Sequence, residues 1–506
     1  MALFTNSCLS TSPTNSASPT NSAFTSAVVA SLDTSKQAAA HRAEPTTQPS
    51  TQPETCTQTL RNRRRGSSLP TDGIDTIAIR GGREIDPTSG AILTPICQST
   101  TYVQDAVGQH KGHTYSRASN PTVSALEAAL GALEAAPDAV CFGTGMAAIT
   151  TLFLSLLRAG DHVVLSSVLY GGTVRFVDQV LKPLGIDALI VDASDPRNVD
   201  AAINERTRLV FIETPANPTL ILTDVEAIAQ ITRARGVLLA VDNTFLTPVI
   251  LRPLDLGADI SVYSTTKYIE GHNATVGGSL VTRDETLLSR FRLIRKTVGS
   301  IQAPFEAWLT LRGLKTLPLR IRHHSQSALV VAKFLEAHPL VARVAYPGLE
   351  SFPQHTLAKK LHAHADPDNI AYHGGIIAFE LKGGADAGRT LMNSVRLCSL
   401  AENLGAAETL ITHPVTMTHA DVSKAQREAT GITDGLVRLS VGLENVRDII
   451  ADLAQALDQT LDQTLDQTRT QTLESKPASS TSKARTRTPK SSARPQSISK
   501  IPVPAT

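Results

Sequence analysis

Short apolar runs alternate with helical patterns through the middle of this 506-residue chain, and the alternation restricts the fold more than any other feature. The predicted strands are 162–165, 188–191, 209–213, 237–241 and 256–262. The predicted helices between them are 172–184 and 225–235. Parallel strands need a crossover between them, usually a helix, whereas antiparallel strands need only a short turn. The sequence therefore predicts an α/β fold with a mostly parallel sheet and a functional site at the carboxyl ends of its strands.

A lysine among hydroxyl groups follows the last of these strands. Ser264 and Thr266 stand beside Lys267, and a Gly-His turn comes soon after. Hydroxyl groups donate hydrogen bonds to phosphate oxygens, and a partly desolvated lysine amine can be neutral and nucleophilic. We interpret Lys267 as the attachment point of pyridoxal phosphate. A structural lysine at a turn would show the same local pattern, so residues elsewhere in the chain decide between the two.

Three further motifs mark the ends of predicted strands. Gly145 and Met146 open a helical run directly after a strand, where free backbone N–H groups form an anion site. Asp242 ends the strand 237–241, where a carboxylate is costly without a partner and could hold a pyridinium nitrogen protonated. Tyr170 precedes two glycines, which leave room for a planar ring to stack on the phenol. Each motif alone is also compatible with an ordinary turn or cap.

Other polar residues, outside these three motifs, could also bind the ligand. Asn217 follows the strand 209–213, and Arg438 lies in an apolar run where a buried arginine needs a partner such as an amino-acid carboxylate. Tyr115 and Arg117 precede a helix that Pro121 opens, and they can reach outward to an anion. A structural salt bridge is the alternative for both arginines.

The two ends of the chain differ in composition from its centre. Residues 1 to about 70 are rich in Ser, Thr, Pro and Gln without apolar periodicity. From Lys476 onward there are seven Lys or Arg and no Asp or Glu. Such segments cannot bury enough apolar surface to fold, so we predict that both are disordered. We interpret the basic tail as solubilising, with weak binding to an acidic surface as the alternative.

Cysteine usage and charge argue against several classes of site. Five scattered cysteines contain no Cys-x-x-Cys pair, which predicts neither a zinc site nor a disulfide framework and fits a reducing compartment. No apolar stretch approaches the ~18 residues that span a bilayer. A net charge of +2 gives no sign of nucleic-acid binding. We therefore expect a cytoplasmic protein that binds neither membrane nor nucleic acid, and the hydroxyl-rich start leaves an organelle transit peptide open.

Taken together, these motifs resemble those of the Cys/Met-metabolism family of pyridoxal-phosphate enzymes. The resemblance covers about 76–457 and implies fold type I, as in aspartate aminotransferase, with a large mostly parallel sheet domain and a smaller C-terminal α/β domain. It also implies an obligate homodimer, usually paired into a homotetramer. We predict five segments: a disordered extension 1–72, an N-terminal arm 73–125, a large cofactor-binding domain 126–318, a small domain 319–458 and a disordered tail 459–506.

The resemblance implies a role for each marked residue. Lys267 and Tyr170 are the catalytic residues, Tyr170 also stacks on the cofactor ring, and Asp242 pairs with its pyridinium nitrogen. The cofactor phosphate is held by Gly145, Met146, Ser264 and Thr266, with Tyr115 and Arg117 reaching the phosphate in the neighbouring subunit. The amino-acid substrate is bound by Asn217, Arg438 and Asn403, the last in place of the family's usual serine.

Residues that differ among family members leave the reaction open. Gly172 stands where methionine γ-lyases have a cysteine, and Asn403 matches the acylhomoserine sulfhydrylases. Glu408 and the segment 416–419 are similar to cystathionine γ-synthases and γ-lyases. We favour the latter type, with γ-replacement or γ-elimination on homoserine derivatives or cystathionine. The alternatives are an O-acetyl- or O-succinylhomoserine sulfhydrylase, a cystathionine β-lyase, and a non-catalytic relative that acts through its tails.

Overall fold

The described part of the chain comprises the centre of the sequence without its ends. The computed structural model describes residues 72–82, 84–363, 370–418, 420 and 424–474. The disorder predicted for the first 71 residues and from 475 onward therefore lies outside the described residues. Among the helices of the described chain, none is both long and apolar enough to cross a membrane.

A seven-stranded sheet forms the larger layer. Its strands are β1 Ala139–Phe142, β2 His162–Ser166, β3 Asp187–Val191, β4 Thr207–Glu213, β5 Leu238–Asp242, β6 Ile260–Tyr263 and β7 Gly278–Val281. Their spatial order is β1-β7-β6-β5-β4-β2-β3, and β7 pairs antiparallel with both of its neighbours while the other strands pair in parallel. The predicted mostly parallel sheet is confirmed. The carboxyl ends of its parallel strands lie along one edge, where ligands bind in folds of this type.

Helices connect the strands and pack on the sheet. The α-helices are α1 Ile74–Arg80, α2 Pro121–Leu133, α3 Gly145–Leu156, α4 Gly171–Phe176, α5 Pro196–Ala202, α6 Val225–Arg235, α7 Thr247–Ile250, α8 Glu285–Val298, α9 Pro304–Leu314, α10 Leu317–Ala337, α11 His355–His362, α12 Gly384–Ser394, α13 Lys424–Ala429 and α14 Val446–Glu474. A π-helical turn, Val177–Leu181, extends α4, and 3₁₀ turns occupy Pro253–Leu256 and Pro414–Thr416.

Side-chain alternation divides the core of the large sheet into two layers. Along β4, Val210 and Ile212 belong to one apolar cluster, while Leu209 and Phe211 belong to another. All four side chains are fully buried. Successive residues of a strand point to opposite faces, so a strand covered by helices on both faces is apolar at every position. This burial explains why the central strands are continuous apolar runs in the sequence.

A second, smaller sheet follows in the C-terminal half. Its strands are β8 Val341–Ala345, β9 Ile376–Leu381, β10 Ser399–Leu400, β11 Leu410–Thr412 and β12 Leu436–Ser440, in the order β10-β11-β12-β9-β8. Helices α10 and α14 contribute to its core, which includes Leu335 and Leu453. Arg438 lies in the middle of β12 and pairs with Thr412 and Ala378 on its two sides. The arginine predicted inside a strand is therefore part of a central strand.

The N-terminal arm contains a helix that the sequence analysis did not predict. It begins with α1, whose buried residues are Ile74, Ile77 and Ala78. These residues recur at the i, i+3, i+4 spacing of an amphipathic helix, and they pack in the same cluster as residues of α2. The helical period is present in the sequence, but a seven-residue helix is too short to be distinguished from a turn without its packing partner.

Helix α14 corrects the predicted tail. The helix runs to Glu474 through all three Leu-Asp-Gln-Thr repeats, which begin at 457, 461 and 465, although we had placed disorder from 459. Leucine and glutamine favour helices, and the next proline is Pro477. The predicted domain limits at 125 and 318 fall inside α2 and α10. The strand predicted over 256–262 starts only at Ile260, after Gly257 in the left-handed region (φ +98°) ends the preceding turn.

A buried ion pair joins the two helices beside β1. Arg295 of α8 donates to the carboxylate of Glu127 on α2 and to the carbonyl of Cys141 on β1 (2.8 Å). The Arg295 and Glu127 side chains are 1% and 5% exposed. Next to it, Arg117 donates to the carbonyl of Lys296 (2.6 Å). The pair therefore holds α8 in place, and α8 in turn anchors the segment that carries Arg117.

We expect Glu127→Gln to destabilise the protein by about 3 kcal/mol, because it leaves the Arg295 charge buried without its counter-ion. Chemical denaturation would measure the loss. The double variant Glu127→Gln/Arg295→Met should regain much of it, since the buried charge is then gone. An unchanged unfolding midpoint for the single variant would contradict this account.

Candidate active site

A cavity of about 440 Å³ lies at the carboxyl ends of the parallel strands, against a loop of the smaller sheet. It is lined by most of the residues that the sequence had marked: Gly145, Met146, Tyr170, Asn217, Asp242, Ser264, Thr266, Lys267, Asn403 and Arg438. These positions span about 300 residues of sequence, so only the fold brings them together. The strand ends supply the first eight, and the second sheet supplies Asn403 and Arg438.

The amine of Lys267 has a strongly altered proton affinity. Burial, and then the nearby Arg438 guanidinium, lower its pKa to about 8. Its Nζ donates to Oδ1 of Asn403 at 2.5 Å. At pH 7 about a tenth of such an amine is neutral, far more than for a lysine with an ordinary pKa near 10.4. The amine is thereby prepared to act as a nucleophile or a base.

The start of α3 forms an anion cradle beside this lysine. The Thr144 hydroxyl accepts from the backbone N–H of Ala147 (2.9 Å), and the earlier N–H groups of Gly145 and Met146 have no partner within the helix. A Cβ on Gly145 would lie 2.9 Å from Cβ of Ser264, so glycine permits this close approach. The Thr266 hydroxyl bonds both backbone groups of Gly277.

Two buried carboxyl groups lie side by side at the ends of β4 and β5. Glu213 and Asp242 are opposite each other in register. Burial, and then the Asp242 carboxylate, raise the pKa of Glu213 well above its usual range. Burial raises the pKa of Asp242 to about 6, against two hydrogen bonds from Thr244. Asp242 is therefore mostly charged at neutral pH, while burial and this neighbouring charge disfavour the charged form of Glu213.

Glu213 is a residue whose position sequence reasoning missed. Its Oε2 accepts from the backbone N–H of Tyr170 (2.7 Å), and its Oε1 accepts from that of Asn217 (3.0 Å). It thus fixes two marked residues on different loops. The available signal was an acid at the end of the strand 209–213, where we had considered only the asparagine that follows.

Arg438 is a buried cation without an acidic partner in the described chain. Its side chain donates to Oδ1 of Asn217 (3.0 Å) and to the carbonyl of Asn403 (3.1 Å). Burial lowers its pKa to about 10, and its buried Nε has no hydrogen-bond partner among the described residues. A carboxylate entering the cavity would satisfy this group, because guanidinium and carboxylate pair in a bidentate manner.

Two further charged residues of the lining, Arg175 and Glu402, were not singled out from the sequence, whereas Thr418 of the marked segment 416–419 is also part of the lining. Arg175 lies on α4, three residues after Gly172, and its side chain is exposed. Within the described ranges no acid forms an ion pair with it. Residue 419, the last of the segment 416–419, lies outside the described residues.

Tyr115 and Arg117 lie elsewhere. They line a separate cleft of about 340 Å³, and the Arg117 guanidinium lies 5.5 Å from the centre of the Tyr115 ring. Tyr115 is 44% exposed. The fold of one chain does not bring them to the cavity, and their contact with a neighbouring subunit stays a prediction.

The chemistry of the cavity fits pyridoxal phosphate. Free backbone N–H groups and the Ser264 hydroxyl suit a phosphate, and the Lys267 amine suits an aldehyde. Asp242 is a buried carboxylate that no cation among the described residues neutralises, so it suits a protonated ring nitrogen. A side chain at Gly172 would collide with the ring of Tyr170, since its Cβ would lie 2.4 Å from Cε1.

Comparison with known proteins agrees with this site. A model of the Cys/Met metabolism PLP-dependent enzyme family matches residues 75–458, and the chain belongs to this family, whose cofactor is pyridoxal phosphate. Among curated relatives are a cystathionine β-lyase of Coxiella burnetii (42% identical; 75% of this chain, 96% of the relative), an L-methionine γ-lyase of Porphyromonas gingivalis (44%; 76% and 97%) and a cystathionine γ-synthase of Mycobacterium bovis (44%; 75% and 96%).

A solved structure supports the fold assignment. The crystal structure of cystathionine γ-lyase from Lactobacillus plantarum, complexed with L-serine, matches with a TM-score of 0.73 and 39% identity. It covers 77% of this chain and all of that one. The predicted family, fold type and cofactor are confirmed. The relatives carry several different activities, so similarity alone identifies a trans-sulfuration enzyme class and no single reaction.

We expect Arg438→Met to raise the pKa of Lys267 by about one unit, because a cation that disfavours the ammonium form is lost. The pH dependence of Lys267 labelling by an amine-selective reagent in the cofactor-free protein, followed by mass spectrometry, measures this pKa. Its midpoint should move from about 8 to higher pH. Arg447→Met, which removes an exposed arginine after the same strand, is the control and should leave the midpoint in place.

Proposed function

We propose that this protein catalyses γ-replacement or γ-elimination on amino acids derived from homoserine, as a cystathionine γ-synthase or γ-lyase does. One observation carries the proposal. Two arginines, Arg438 and Arg175, line the same cavity, and neither is paired with an acid in the described chain. One is buried in the second sheet, and the other is exposed on α4. This arrangement suits a substrate with two carboxylates.

Substrates of the family differ in whether they carry a second carboxylate. Cystathionine and O-succinylhomoserine carry a second carboxylate, whereas methionine and O-acetylhomoserine carry only the α-carboxylate. Arg438 and Asn217 would hold the α-carboxylate, since their side chains are already hydrogen-bonded to each other at 3.0 Å. Arg175 would take the distal carboxylate. Two fixed carboxylates orient the carbon chain between them, and orientation supplies a large share of enzymatic acceleration.

Several residues of the cavity would hold the cofactor: Gly145, Met146, Tyr170, Asp242, Ser264, Thr266 and Lys267. When bound, pyridoxal phosphate supplies an electron sink for the pair released at the substrate's Cα. Asp242, charged at neutral pH, would keep the ring nitrogen protonated. Lys267 or the Tyr170 hydroxyl would take the proton from Cα. Lys267 would also take a proton from Cβ, so that the γ-substituent leaves with its bonding electron pair, and in γ-replacement it would return that proton to Cβ when a thiol adds at Cγ.

Substrate binding would strengthen Lys267 as a base. The Arg438 guanidinium is the second cause of the low pKa of this amine, after burial. A carboxylate paired with Arg438 offsets that positive charge, so the proton affinity of Lys267 rises when the substrate is in place. The Lys267 amine is then a weaker base before the substrate binds and a stronger base in the complex.

The second subunit would complete the site. The Tyr115 and Arg117 side chains are close to each other, line an open cleft and are not part of the lining of their own chain's cavity. We propose a homodimer, paired into a tetramer, in which each chain gives these two side chains to the phosphate bound by its neighbour.

Subunit complementation tests this arrangement. Lys267→Ala and Arg117→Ala should each be inactive, and the former should lack covalently bound cofactor. Dissociated together and reassembled at equal amounts, they should regain about a quarter of wild-type activity, since half the dimers are mixed and each has one intact site. Mixing Lys267→Ala with Asp242→Ala is the control: each lesion lies in the cavity of its own chain, so both sites of a mixed dimer are defective and no recovery is expected. If the mixture with Arg117→Ala also fails to recover, as the control does, Arg117 acts within its own chain.

The reaction itself is tested by a product screen. O-acetyl-, O-succinyl- and O-phosphohomoserine are each offered with cysteine or sulfide, alongside cystathionine alone. We expect cystathionine from the succinyl ester with cysteine, or 2-oxobutyrate and ammonia from cystathionine. Preference for sulfide and the acetyl ester would favour the sulfhydrylase, which Asn403 also suits, and pyruvate from cystathionine would identify a β-lyase. No turnover and no bound cofactor would favour a non-catalytic relative.

We expect Arg175→Met to raise KM for cystathionine or O-succinylhomoserine about 10- to 100-fold, because one charged hydrogen-bonding pair is lost. Turnover of O-acetylhomoserine should change little, since it has no distal carboxylate. Steady-state kinetics with both esters measure the contrast. An equal loss on both esters would mean that Arg175 supports the fold of the site and does not select the substrate.

A further inference from the structure

The amine of Lys267 is the first member of a hydrogen-bonded chain that leaves the cavity. Lys267 Nζ donates to Oδ1 of Asn403 (2.5 Å), and Nδ2 of Asn403 donates to Oδ1 of Asn273 (2.6 Å). Nδ2 of Asn273 then donates to Oε2 of Glu408 (2.9 Å). Neither Asn273 nor Glu408 lines the cavity, and both are exposed.

The two ends of this chain fix its direction. A carboxylate only accepts hydrogen bonds, so Asn273 must turn its amide nitrogen toward Glu408. Its oxygen then faces Asn403, which must in turn present its own nitrogen there. The oxygen of Asn403 is thereby left facing Lys267. An asparagine amide can be reversed with little change in shape, so the surrounding hydrogen bonds decide its orientation.

The backbone holds the members of the chain together. Asn273 adopts a left-handed conformation (φ +55°), which asparagine tolerates better than most residues. The carbonyl of Gly271 accepts from the backbone N–H of Ala407 at 2.9 Å, so the loop after Lys267 is tied to the loop that carries Asn403 and Glu408. In the described chain Glu408 forms no ion pair that would draw it away from Asn273.

We propose that Asn273 and Glu408 are positioning residues for Lys267: the Glu408 carboxylate orients both asparagine amides, so that an oxygen and not an N–H group faces the lysine amine. The proposal deepens the role proposed for Lys267 as the cofactor-binding base. It assigns to this enzyme a polar connection from the protein surface to its reactive amine.

The orientation has a chemical consequence at the amine. An amide oxygen accepts a hydrogen bond from the ammonium form and so stabilises it, whereas an amide N–H would repel the ammonium and bond to the lone pair of the neutral amine. Loss of the Glu408 charge would allow the side-chain amides of Asn273 and Asn403 to reverse in a fraction of molecules. The pKa of Lys267, already lowered to about 8, would then fall further.

Other charged or titratable groups also face Lys267 across the cavity: Tyr170, Arg175, Glu213, Asp242, Glu402 and Arg438. They are unchanged in variants at 273 and 408, so these groups are not the source of a difference in the Lys267 pKa between variants. Removal of a nearby negative charge also lowers a lysine pKa directly, without any chain. A double-mutant cycle separates the two effects.

The test titrates Lys267 in the full-length protein after cofactor removal, by the pH dependence of its labelling with trinitrobenzenesulfonate. We expect the midpoint to fall by about half a pH unit in Glu408→Gln and in Asn273→Gly, the glycine being suited to the left-handed backbone. In the double variant the midpoint should fall no further than in Asn273→Gly alone, because the connection is already broken. Glu350→Gln, at an exposed acid remote in sequence, should match the wild type.

A midpoint within 0.2 unit of the wild type in Asn273→Gly, with unchanged thermal unfolding, would overturn the proposal (about 0.3 kcal/mol at that threshold). So would additive shifts in the double variant, which would show a direct charge effect of Glu408. Because the titration needs neither turnover nor bound cofactor, its result is independent of the product screen. If the product screen fails, the titration of Lys267 can still be interpreted. If the titration overturns the proposal, the result of the product screen still stands.

Discussion

Partial desolvation of one amine, Lys267, beside a second buried cation is the interaction on which the site depends. Burial and Arg438 together lower the pKa of Lys267 to about 8. Two cations held near each other in a low-dielectric setting repel, so the arrangement persists only because the two sheets hold both side chains in place. The large sheet fixes Lys267 at the end of β6, and the small sheet fixes Arg438 in the middle of β12. An entering carboxylate relieves that repulsion.

Two acidic residues of the cavity, Glu213 and Asp242, are also held in fixed positions by the large sheet. Glu213 and Asp242 end adjacent strands, and burial raises the pKa of both carboxyl groups. Glu213 also holds the backbone of Tyr170 and Asn217, so one side chain connects the residue proposed to stack on the cofactor with one proposed to bind the substrate. The positions of Tyr170 and Asn217 therefore both depend on the Glu213 carboxyl group, and a change at the end of β4 would move both residues.

Two hydrogen-bonded networks extend beyond the residues that line the cavity. The chain from Lys267 through Asn403 and Asn273 ends at an exposed carboxylate. The buried Arg295–Glu127 pair supports the segment with Arg117, which is not part of the lining of its own chain's cavity. Each network fixes the position of a charged side chain, Lys267 in the first and Arg117 in the second. This distribution fits an enzyme whose chemistry depends on the position of a few ionisable groups.

The sequence alone determined the mostly parallel sheet, since apolar runs alternate with helical patterns, and it placed Asp242, Asn217 and Lys267 at strand ends, where such sheets bind ligands. It did not reveal the helix at Ile74–Arg80 or the continuation of α14, because short or repetitive helices depend on packing that local patterns do not contain. Only the tertiary structure decided the pairing of Lys267 with Asn403, which are 136 residues apart. Periodicity specifies which face of an element is buried, whereas the partner and direction of a hydrogen bond depend on chain segments distant in sequence.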